Sequence, residues 1–530
     1  MSTFHTWSLS QNPRAGHLGG KVVSMGFIIL AFIFGYVIAI FPGGFIAKIV
    51  VPFVLVLVLV PFALLVTPSK NVSNRRLLGL IAVWLLFHAC TPTYLTVKIA
   101  SLPDLSPYRL TGWLIVATVC YYWMSSQYFR RLVYQRLSEF NSFFGLLFAL
   151  VGWIFICSIF GDIPFFSLSI AVKAWGIGLC LLILLAAAIQ TKEDIDRILF
   201  IAVLCSLFSI TIGLIEWGRM DNIFRAFFPT DPERMVGLEW ILEDKSRDGV
   251  YRVASVFSHP LVFGEYLAMI LPFCIYFVTD GKRSAIRYCA LLVLCLIPLG
   301  IFITHTRSSM VAAVVGIIAF FVARSIALSQ KNSSRAIAII AIVVGGCILT
   351  IVLFWLTQDM FQGRTAAERG SSAARITMLS RGLTAIEESP ILGYGAGTAA
   401  SKIGYLSASR SLTIDNYYLS IAIENGVPGL IFYLGALFIA LRQLFRTNNP
   451  QNAGLTAALF ASLVVYALIR SILSLTHNQD FSLVVIALLL LANRLPEKGT
   501  LVSQLTPVSA FLDDKVEEIH THKFSNEIPL

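Results

Sequence analysis

The stretch LTIDNYYLSIAIENGVPGLIFYLGAL, residues 412–437, combines an apolar run of membrane length with acidic and amide side chains. A helix needs about 20 apolar residues to cross the hydrocarbon core of a bilayer. From Tyr417 to Leu437 the only charged residue is Glu424, so the run predicts a transmembrane helix. An acid inside such a helix, followed by a Gly-Val-Pro-Gly break, is typical of a cavity within a membrane protein.

The composition extends this interpretation to the whole chain. Of the 530 residues, 57% are hydrophobic and 13% are charged, and the mean hydropathy is +0.79. Soluble domains carry about 25% charged residues, roughly twice this fraction. Two further runs, residues 49–66 and 337–356, are also long and apolar enough to span a bilayer. The sequence therefore predicts an all-α polytopic membrane protein.

Hydropathy predicts about 14 transmembrane helices, in a range of about 12 to 14. The predicted spans are residues 22–40, 45–66, 77–96, 110–128, 143–160, 168–189, 197–215, 260–279, 287–304, 308–327, 336–356, 417–441, 453–473 and 480–494. Two long loops, near residues 217–258 and 358–414, interrupt the series. We expect one membrane domain at residues 22–495, between an N-terminal tail at 1–21 and a C-terminal tail at 496–530.

Basic side chains indicate the orientation of the chain. Lys and Arg concentrate in alternate short loops, at residues 70–76, 130–136, 281–287 and 330–335. A short loop on the opposite side, residues 161–166, contains neither Lys nor Arg. Short loops rich in Lys and Arg stay on the cytoplasmic side of a membrane. We therefore expect both termini in the cytoplasm and both long loops on the outer face.

Charge and cysteine usage disfavour two kinds of site. The formal net charge of +11 comes largely from Lys and Arg at the ends of apolar runs, and no basic patch with interleaved aromatic residues indicates nucleic-acid binding. All nine cysteines lie within apolar runs, and no Cys-x-x-Cys pair occurs. We therefore expect no nucleic-acid partner, no metal site and no disulfide framework.

Ionisable residues occur where the first long loop meets the membrane. Arg252 is either an interfacial side chain that reaches towards water or part of a site. His259 precedes Pro260, and it either marks a helix start or contributes to the site. Glu265 lies about one turn inside the next span, where an ionisable group indicates function. Arg307 occupies a tight outer turn, a place where the other short outer loops avoid positive charge.

The second long loop contains a predicted amphipathic helix that ends before Pro390. An apolar stripe repeats along it at helical spacing: Ile376, Leu379, Leu383 and Ile386. Arg375 and Arg381 are six residues apart, about 240° around a helix, so they cannot share a face. We expect one of them to face the site and the other to face solvent or lipid headgroups.

A glycine-rich segment follows this helix, with Gly393, Gly395 and Gly397 at alternate positions. It superficially matches a dinucleotide fingerprint, but no strand–turn–helix context surrounds it. We expect a turn whose backbone N–H groups approach an anion.

Asp415 and Asn416 begin the twelfth predicted span. Both residue types are favoured as helix N-caps, and an acid complements the helix dipole. Capping does not account for Glu424 inside the span, nor for the break at residues 426–429. The freed backbone groups at Pro428 must find partners within the protein.

Four segments occur in an order that resembles a known family. They are residues 252–266 (RVASVFSHPLVFGEY), 306–308 (TRS), 375–397 (RITMLSRGLTAIEESPILGYGAG) and 415–429 (DNYYLSIAIENGVPG). Over about residues 252–437, the chain resembles the O-antigen ligase and Wzy-type polymerase superfamily of bacterial envelope glycan enzymes. Ligases of this family carry a His-Asn pair, nine residues and a Gly-x-x-Gly. Here Asp415 replaces the His, which favours a polymerase.

The resemblance implies a glycosyltransferase that lengthens O-antigen or exopolysaccharide chains. Its donor and acceptor would be oligosaccharides linked to undecaprenyl pyrophosphate, and the reaction would use neither a metal nor another cofactor. The implied location is the periplasmic face of the bacterial inner membrane. Beside the bilayer, a chain-length-regulating membrane protein is a candidate partner.

The resemblance identifies Arg252 and Arg375 as essential arginines, with Arg307 as a further candidate. Guanidinium groups bind phosphate through paired hydrogen bonds, so these side chains suit a diphosphate leaving group. Asp415, followed by Asn416, is the first choice as the general base for a direct inverting displacement. The remaining candidates for substrate binding are His259, Glu265, Arg381 and Glu424, and His477 is a reserve base.

Two alternatives remain open at this point. An O-antigen ligase would attach the polymer to the lipid A core by the same chemistry. A flippase for lipid-linked oligosaccharides would belong to a different class, and its spans would be expected to form two related halves.

Overall fold

The computed structural model describes residues 74–92, 94, 106–227, 241, 246, 249–329, 366–406, 412–446 and 450–494. These residues form 14 α-helices and no strand. The helices are α1 (Asn74–Cys90), α2 (Pro107–Ser125), α3 (Gln127–Ser138), α4 (Asn141–Phe160), α5 (Pro164–Ala188), α6 (Lys192–Arg219), α7 (Pro260–Asp280), α8 (Ser284–Ile303), α9 (Arg307–Ser329), α10 (Ala366–Glu388), α11 (Ala399–Ile403), α12 (Tyr417–Arg442), α13 (Ala453–Arg470) and α14 (Gln479–Ala492). Short 3₁₀ helices occupy Ile223–Phe227, Gln443–Arg446 and Pro450–Asn452.

The prediction of an all-α polytopic membrane protein is confirmed. Eight of the described helices, α4 to α9, α12 and α13, are long and apolar enough to cross a membrane. Predicted and observed boundaries agree closely where the apolar run is sharply bounded: a span expected at 260–279 is the helix Pro260–Asp280. The spans expected at 77–96, 110–128 and 480–494 correspond to α1, α2 and α14, which are not among these eight. The spans expected at 22–40, 45–66 and 336–356 and both tails lie outside the described residues, so the total of about 14 stays a prediction.

Helices α7 and α13 form the centre of the described bundle. Of the most apolar 18-residue stretch of each helix, 89% is buried inside the bundle in α7 and 78% in α13. Small residues permit this close packing: Gly264 of α7 faces Ser309, and Gly316 of α9 faces Val465 of α13. Helices in a membrane associate mainly through close packing of this kind. A larger residue at Gly264 would push α7 away from α9, and one at Gly316 would push α9 away from α13.

Hydrogen bonds show that the helix ends gather into two groups. At one end, Lys192 Nζ donates to the carbonyl of Gln451 (2.8 Å), and Asn452 Nδ2 donates to the carbonyl of Ala492 (3.1 Å). We call this the opposite end. The other group contains the last turn of α6 and the starts of α7, α9 and α12, and we call it the site end.

Helix α3 was not predicted. The sequence indicated a basic loop at residues 130–136, whereas the structure has a helix from Gln127 to Ser138. Ser126 caps its N-terminus by accepting a hydrogen bond from the Phe129 backbone N–H, at 3.2 Å. Phe129 and Val133, one turn apart, are both fully buried. The helix therefore forms because its cap and its two-residue apolar face agree, although most of its surface is charged or polar.

Helix α10 packs against the bundle through a face other than its apolar stripe. It begins at Ala366 and ends at Glu388, as expected before Pro390. The predicted apolar stripe is largely solvent-accessible, with about half the surface of Ile376, Leu379 and Leu383 exposed. The buried face instead contains Met378, Gly382 and Ala385. Because a side chain at Gly382 would meet Leu419 of α12, this glycine is what lets the two helices approach.

Candidate functional site

The predicted break in α12 is present at Gly426, whose φ of 66° is left-handed. Three carbonyls before it lose their partners in the helix. The carbonyls of Ile423 and Glu424 accept hydrogen bonds from the backbone N–H groups of Tyr394 (3.1 Å) and Gly395 (2.8 Å). A third, that of Asn425, accepts from the indole N–H of Trp153 at 2.9 Å. The backbone groups freed by the break are therefore satisfied within the protein, as the low polarity of a membrane requires.

This pairing changes the interpretation of the glycine-rich segment. The sequence predicted that its N–H groups approach an anion, but the N–H groups of Tyr394 and Gly395 already bind α12. Gly393, Gly395 and Gly397 all have positive φ, and a Cβ at Gly393 would collide with the Ile423 carbonyl. The glycines are needed for this close contact between backbones.

Glu424 supports the same contact. Its carboxylate accepts hydrogen bonds from the Ser420 hydroxyl (3.2 Å) and from the Ala399 backbone N–H (3.4 Å). The acid inside the span thus connects α12 to the first residue of α11, which follows the glycines. Substrate binding by Glu424 stays a prediction.

Asp415 and Asn416 divide two roles between them. Asn416 is the N-cap of α12, because its side-chain oxygen accepts a hydrogen bond from the Leu419 N–H at 3.0 Å. Oδ2 of Asp415 lies 3.9 Å from Nε of Arg375, within ion-pair range. The two side chains remain partly accessible, with 39% of Asp415 and 32% of Arg375 exposed. A carboxylate and a guanidinium thus face each other at the site end, open to solvent.

Arg381 takes the other side of α10. It is exposed and donates to the carbonyls of Ile403 (3.3 Å) and Gly404 (3.1 Å) at the end of α11. Arg375 and Arg381 therefore point in different directions, as their spacing requires. Arg381 contributes a contact between α10 and α11, and its predicted role towards substrate is not tested by this position.

Arg252 and Arg307 belong to a second group at the site end. The guanidinium Nε of Arg252 donates to the carbonyl of Thr304 at 3.2 Å, and Arg307 begins α9 three residues later. In sequence, His305 lies between Thr304 and Arg307. Burial, and then the positive charge of Arg252, lowers the pKa of His305, so this imidazole is neutral at pH 7. Arg252 and Arg307 come from separate segments, and both therefore lie at the turn between α8 and α9.

Glu216 holds the segment that carries Arg252, and the sequence analysis missed it. Its carboxylate is buried and accepts hydrogen bonds from the N–H groups of Ala254 (3.1 Å) and Ser255 (2.7 Å). The hydroxyl of Tyr251 donates to it as well, at 2.9 Å. Burial, and then the Glu216 charge, raises the pKa of Tyr251, so its hydroxyl stays protonated. The available signal was an acid immediately after the span predicted at residues 197–215.

A cavity opens beside Arg252. Its volume is about 770 Å³, which is within the range of small-ligand sites. Its lining includes Glu216, Trp217, Asp221, Tyr251 and Arg252. The cavity therefore has room and polar groups for part of a substrate next to a guanidinium.

His259 marks a helix start. It is the N-cap of α7, and its Nδ1 accepts a hydrogen bond from the Leu261 N–H at 3.1 Å. This was one of the two interpretations that the sequence left open for His259. A direct role towards substrate stays a prediction.

Glu265 does not face an open site. It is fully buried, and both of its oxygens accept from one guanidinium nitrogen of Arg470, at 2.6 and 2.8 Å. Asn478 Nδ2 donates to the same carboxylate at 2.8 Å. The expectation that Glu265 binds substrate does not fit this geometry, because its oxygens are already occupied. Arg470 itself was missed, although a positive charge at the outer end of a span was a signal similar to that at Arg307.

His477 is also enclosed. Its ring lies 4.8 Å from that of His88 and 5.1 Å from that of Phe257, between ring centroids. Burial lowers the pKa of His477 to about 4. A neutral ring packed among aromatic rings is poorly placed as the reserve base that the sequence suggested.

Part of the chain is similar in sequence to known proteins. Residues 290–434 match the family model described as O-Antigen ligase. The O-antigen polymerase of Salmonella muenchen is 25% identical over 310 residues, which cover 57% of this chain and 75% of that protein. The chain resembles the O-antigen ligase and Wzy-type polymerase superfamily. The resemblance drawn from four short segments of sequence is therefore confirmed.

The matched residues 290–434 include the Asp415–Arg375 pair. Of the second group they include Arg307 but not Arg252. Arg307, Arg375 and Asp415 lie within residues 290–434, whereas Arg252 lies before them and Arg470 after them. Among the residues that the structure describes, no three His, Cys, Asp or Glu side chains form a group that could hold a metal ion.

Proposed function

We propose that the protein is a polymerase of lipid-linked oligosaccharide repeat units. It transfers the glycan from undecaprenyl pyrophosphate to a hydroxyl of the next unit, in O-antigen or exopolysaccharide synthesis. The observation that carries this proposal is the Asp415–Arg375 pair. The carboxylate lies at the end of membrane-spanning helices, and Asn416 performs the capping that would otherwise occupy it.

The chemistry assigned to Asp415 is general base catalysis. Its carboxylate accepts the proton of the acceptor hydroxyl as that oxygen attacks the anomeric carbon. The bond from this carbon to the phosphate oxygen breaks, and undecaprenyl pyrophosphate leaves with the bonding electron pair. Attack from the face opposite the leaving group inverts the anomeric centre. A positioned base contributes about 10²- to 10⁴-fold to such a step.

Arg375, Arg252 and Arg307 are assigned to the diphosphate. A guanidinium stays charged at every relevant pH and binds phosphate oxygens through two parallel N–H donors. Charge that develops on the leaving oxygen is stabilised most by donors already fixed in place. Arg252 meets this condition because it is held by the Thr304 carbonyl and its segment is fixed by Glu216.

The proposed orientation puts the site end in the periplasm and both termini in the cytoplasm of a bacterial inner membrane. It rests on the short basic loops, since Lys282 and Arg283 lie between α7 and α8, and Arg287 lies in the first turn of α8, at the opposite end. The undecaprenyl chain would remain in the bilayer while the glycan enters from water. A chain-length-regulating membrane protein is proposed as a partner, together with the bilayer.

The test uses a deletion strain complemented with wild type, Asp415→Asn or Arg375→Ala, followed by gel analysis of surface polysaccharide. A polymerase predicts single repeat units at the cell surface in the deletion strain and long chains only with wild type. Long chains of normal length with Asp415→Asn would overturn the assigned base. Units that accumulate inside the cell would indicate a flippase instead.

An O-antigen ligase is the second candidate, because the match at residues 290–434 carries that description. The two activities differ in the acceptor: a ligase attaches polymer to the lipid A core, and a polymerase extends the carrier-linked chain. Loss of core attachment with undiminished chain length in the deletion strain would favour the ligase. The Asp415–Arg375 pair would serve either reaction.

A further inference from the structure

The site end contains a buried charged pair that touches neither Asp415 nor the arginines assigned to the diphosphate. Glu265 of α7 and Arg470 of α13 are 205 residues apart in sequence, and both side chains have no exposed surface. Their oxygen and nitrogen atoms approach to 2.6 and 2.8 Å. Because they are fully enclosed, neither group can contact a substrate directly.

Arg470 also holds the loop between α13 and α14, residues 471–478. A second nitrogen of its guanidinium donates to the carbonyl of Leu475. At the far end of this loop, Asn478 donates to Glu265 at 2.8 Å. The loop is therefore fastened at two points to one buried carboxylate and its arginine.

This loop braces the segment that contains Asp415. The Ser474 hydroxyl donates to the carbonyl of Ile414, the residue immediately before Asp415. Two residues after Asp415, the Tyr417 hydroxyl donates to Gln479 at 2.9 Å. The Arg470 guanidinium lies 5.4 Å from the centre of the Tyr417 ring, within cation–π range. Contacts from this loop, from Arg470 and from the start of α14 thus lie on both sides of the proposed base in sequence.

The same loop contacts the segment that contains Arg252. The ring of His477 meets that of Phe257 at 5.1 Å, and Asn478 donates to the carbonyl of Val262 at 3.0 Å. Residues 471–478 therefore lie between the two groups of site residues. A shift of this loop would change the distance between the proposed base and the proposed diphosphate site.

We propose that Arg470, locked to Glu265, is a positioning residue that fixes Asp415 relative to Arg252; this inference rests on the proposed polymerase function. A buried pair of this kind is a weak source of stability, since apolar residues of similar volume often replace it at no cost. What apolar residues cannot supply is the directed bond from Arg470 to Leu475. Geometry at the site is thus the property that the pair provides.

The test is the double variant Glu265→Leu/Arg470→Met, which leaves no uncompensated buried charge. We expect it to insert and to unfold near the wild-type temperature. Its kcat for transfer between synthetic undecaprenyl-pyrophosphate-linked repeat units should fall by about 10- to 100-fold, because small misplacements of reacting groups have effects of this size. The KM for the acceptor should change less than about threefold, since the binding surfaces remain.

A second readout does not depend on activity. Amide hydrogen exchange of residues 412–420 should become faster in the double variant, because the brace on Ile414 and Tyr417 is lost. Asp280→Leu/Arg324→Met is the matched control. It removes another carboxylate–arginine pair of α7, at 2.8 Å, from the opposite end. This control should change neither kcat nor exchange at residues 412–420.

Each outcome decides one claim. Wild-type kcat and exchange in the folded double variant would overturn the positioning role. If the double variant fails to fold, Arg470→Lys replaces it, because lysine keeps the charge but loses the second directed donor. We again expect a lower kcat and faster exchange at residues 412–420, and wild-type values would again overturn the positioning role. Absence of transfer by the wild-type protein would overturn the proposed function instead. The exchange measurement would still show whether the Arg470–Glu265 pair holds residues 412–420 in place.

Discussion

Helix α7 carries a carboxylate paired with an arginine near each of its ends, and the two pairs differ in their surroundings. Near its start, Glu265 binds Arg470 with no exposed surface on either side chain. At its end, Asp280 binds Arg324 at 2.8 Å, with 27% and 28% of these side chains exposed. The chemistry of the two pairs is the same, so burial is the variable that separates them.

The difference in burial determines how firmly each pair holds its partners. A solvated pair is worth about 0–1 kcal/mol and tolerates small movements of its partners. A fully desolvated pair fixes its partners, because either charge left alone costs about 3–5 kcal/mol. Buried Glu216 and Arg252 also lie at the site end. Rigidity from desolvated charge is therefore concentrated where the proposed chemistry requires fixed distances.

The largest effect is expected from Asp415→Asn, which removes the proposed base but keeps the size of the side chain. We expect kcat to fall by about 10²- to 10⁴-fold with little change in the unfolding temperature. Glu387→Gln is the matched control, since Glu387 is an exposed carboxylate of α10 at the same end. An equal loss in the control, or none in Asp415→Asn, would contradict the assignment.

Single removals from the two pairs of α7 should differ in stability. Glu265→Ala leaves a buried, uncompensated guanidinium, so we expect the free energy of unfolding to fall by about 3–5 kcal/mol. Asp280→Ala leaves a partly solvated arginine, and the expected loss is about 0–1 kcal/mol. Thermal unfolding in detergent measures both. Equal losses would mean that burial does not distinguish the two ends.

Acid should remove a stabilising contribution that His477 makes at the site end. All four histidines among the described residues, His88, His259, His305 and His477, lie at the site end. The pKa of His477 is about 4 in the folded protein and about 6.5 in an unfolded chain. The folded state thus binds fewer protons, so its stabilisation is complete above about pH 6.5 and is lost as pH falls towards 4. The loss amounts to about 3 kcal/mol at most.

Unfolding temperatures measured between pH 7 and 4 test this expectation, with His477→Gln as the comparison. The variant should show a shallower loss of stability over that range, because it no longer has a group with a lowered pKa. A wild-type slope in His477→Gln would show that another group causes the acid sensitivity.

The smallest effect concerns two carboxylates that bind backbone N–H groups at different ends. Glu216 holds Ala254 and Ser255, while Asp194 holds the N–H groups of Gln190 (3.2 Å) and Thr191 (2.9 Å) at the start of α6. Glu216→Gln and Asp194→Asn should each lower the free energy of unfolding by about 1–2 kcal/mol.

Only Glu216→Gln should also raise the KM for the lipid-linked donor, by several-fold, because it loosens the segment that carries Arg252. Steady-state kinetics at varied donor concentration provide the measurement. A donor KM raised equally by Asp194→Asn would remove the distinction between the two carboxylates.

The fold was largely predictable from sequence because its determinants are local. Apolar runs of membrane length and the residues that end them predicted helices such as Tyr417–Arg442 closely. The amphipathic α3 was missed because only Phe129 and Val133 supply its apolar face, too few for the pattern to stand out against the surrounding arginines.

The site was predictable in part, and the reason is sequence distance. Asp415 and Arg375 were candidates because their residue types suit the chemistry, and the structure places them 3.9 Å apart. Glu265 was assigned to substrate because an acid within a span indicates function, but its partner Arg470 is 205 residues away. Long-range pairs of this kind leave no local pattern, so a buried counter-charge and an open site cannot be told apart from one sequence.

The break in α12 has a consequence for how the chain is assembled. Tyr394 and Gly395 leave the ribosome before Ile423 and Glu424, so their N–H groups must remain hydrated until that helix arrives. Neither partner can complete its backbone bonding alone. The loop that contains the glycines and the broken helix therefore complete their backbone bonding together, after α12 has been synthesised.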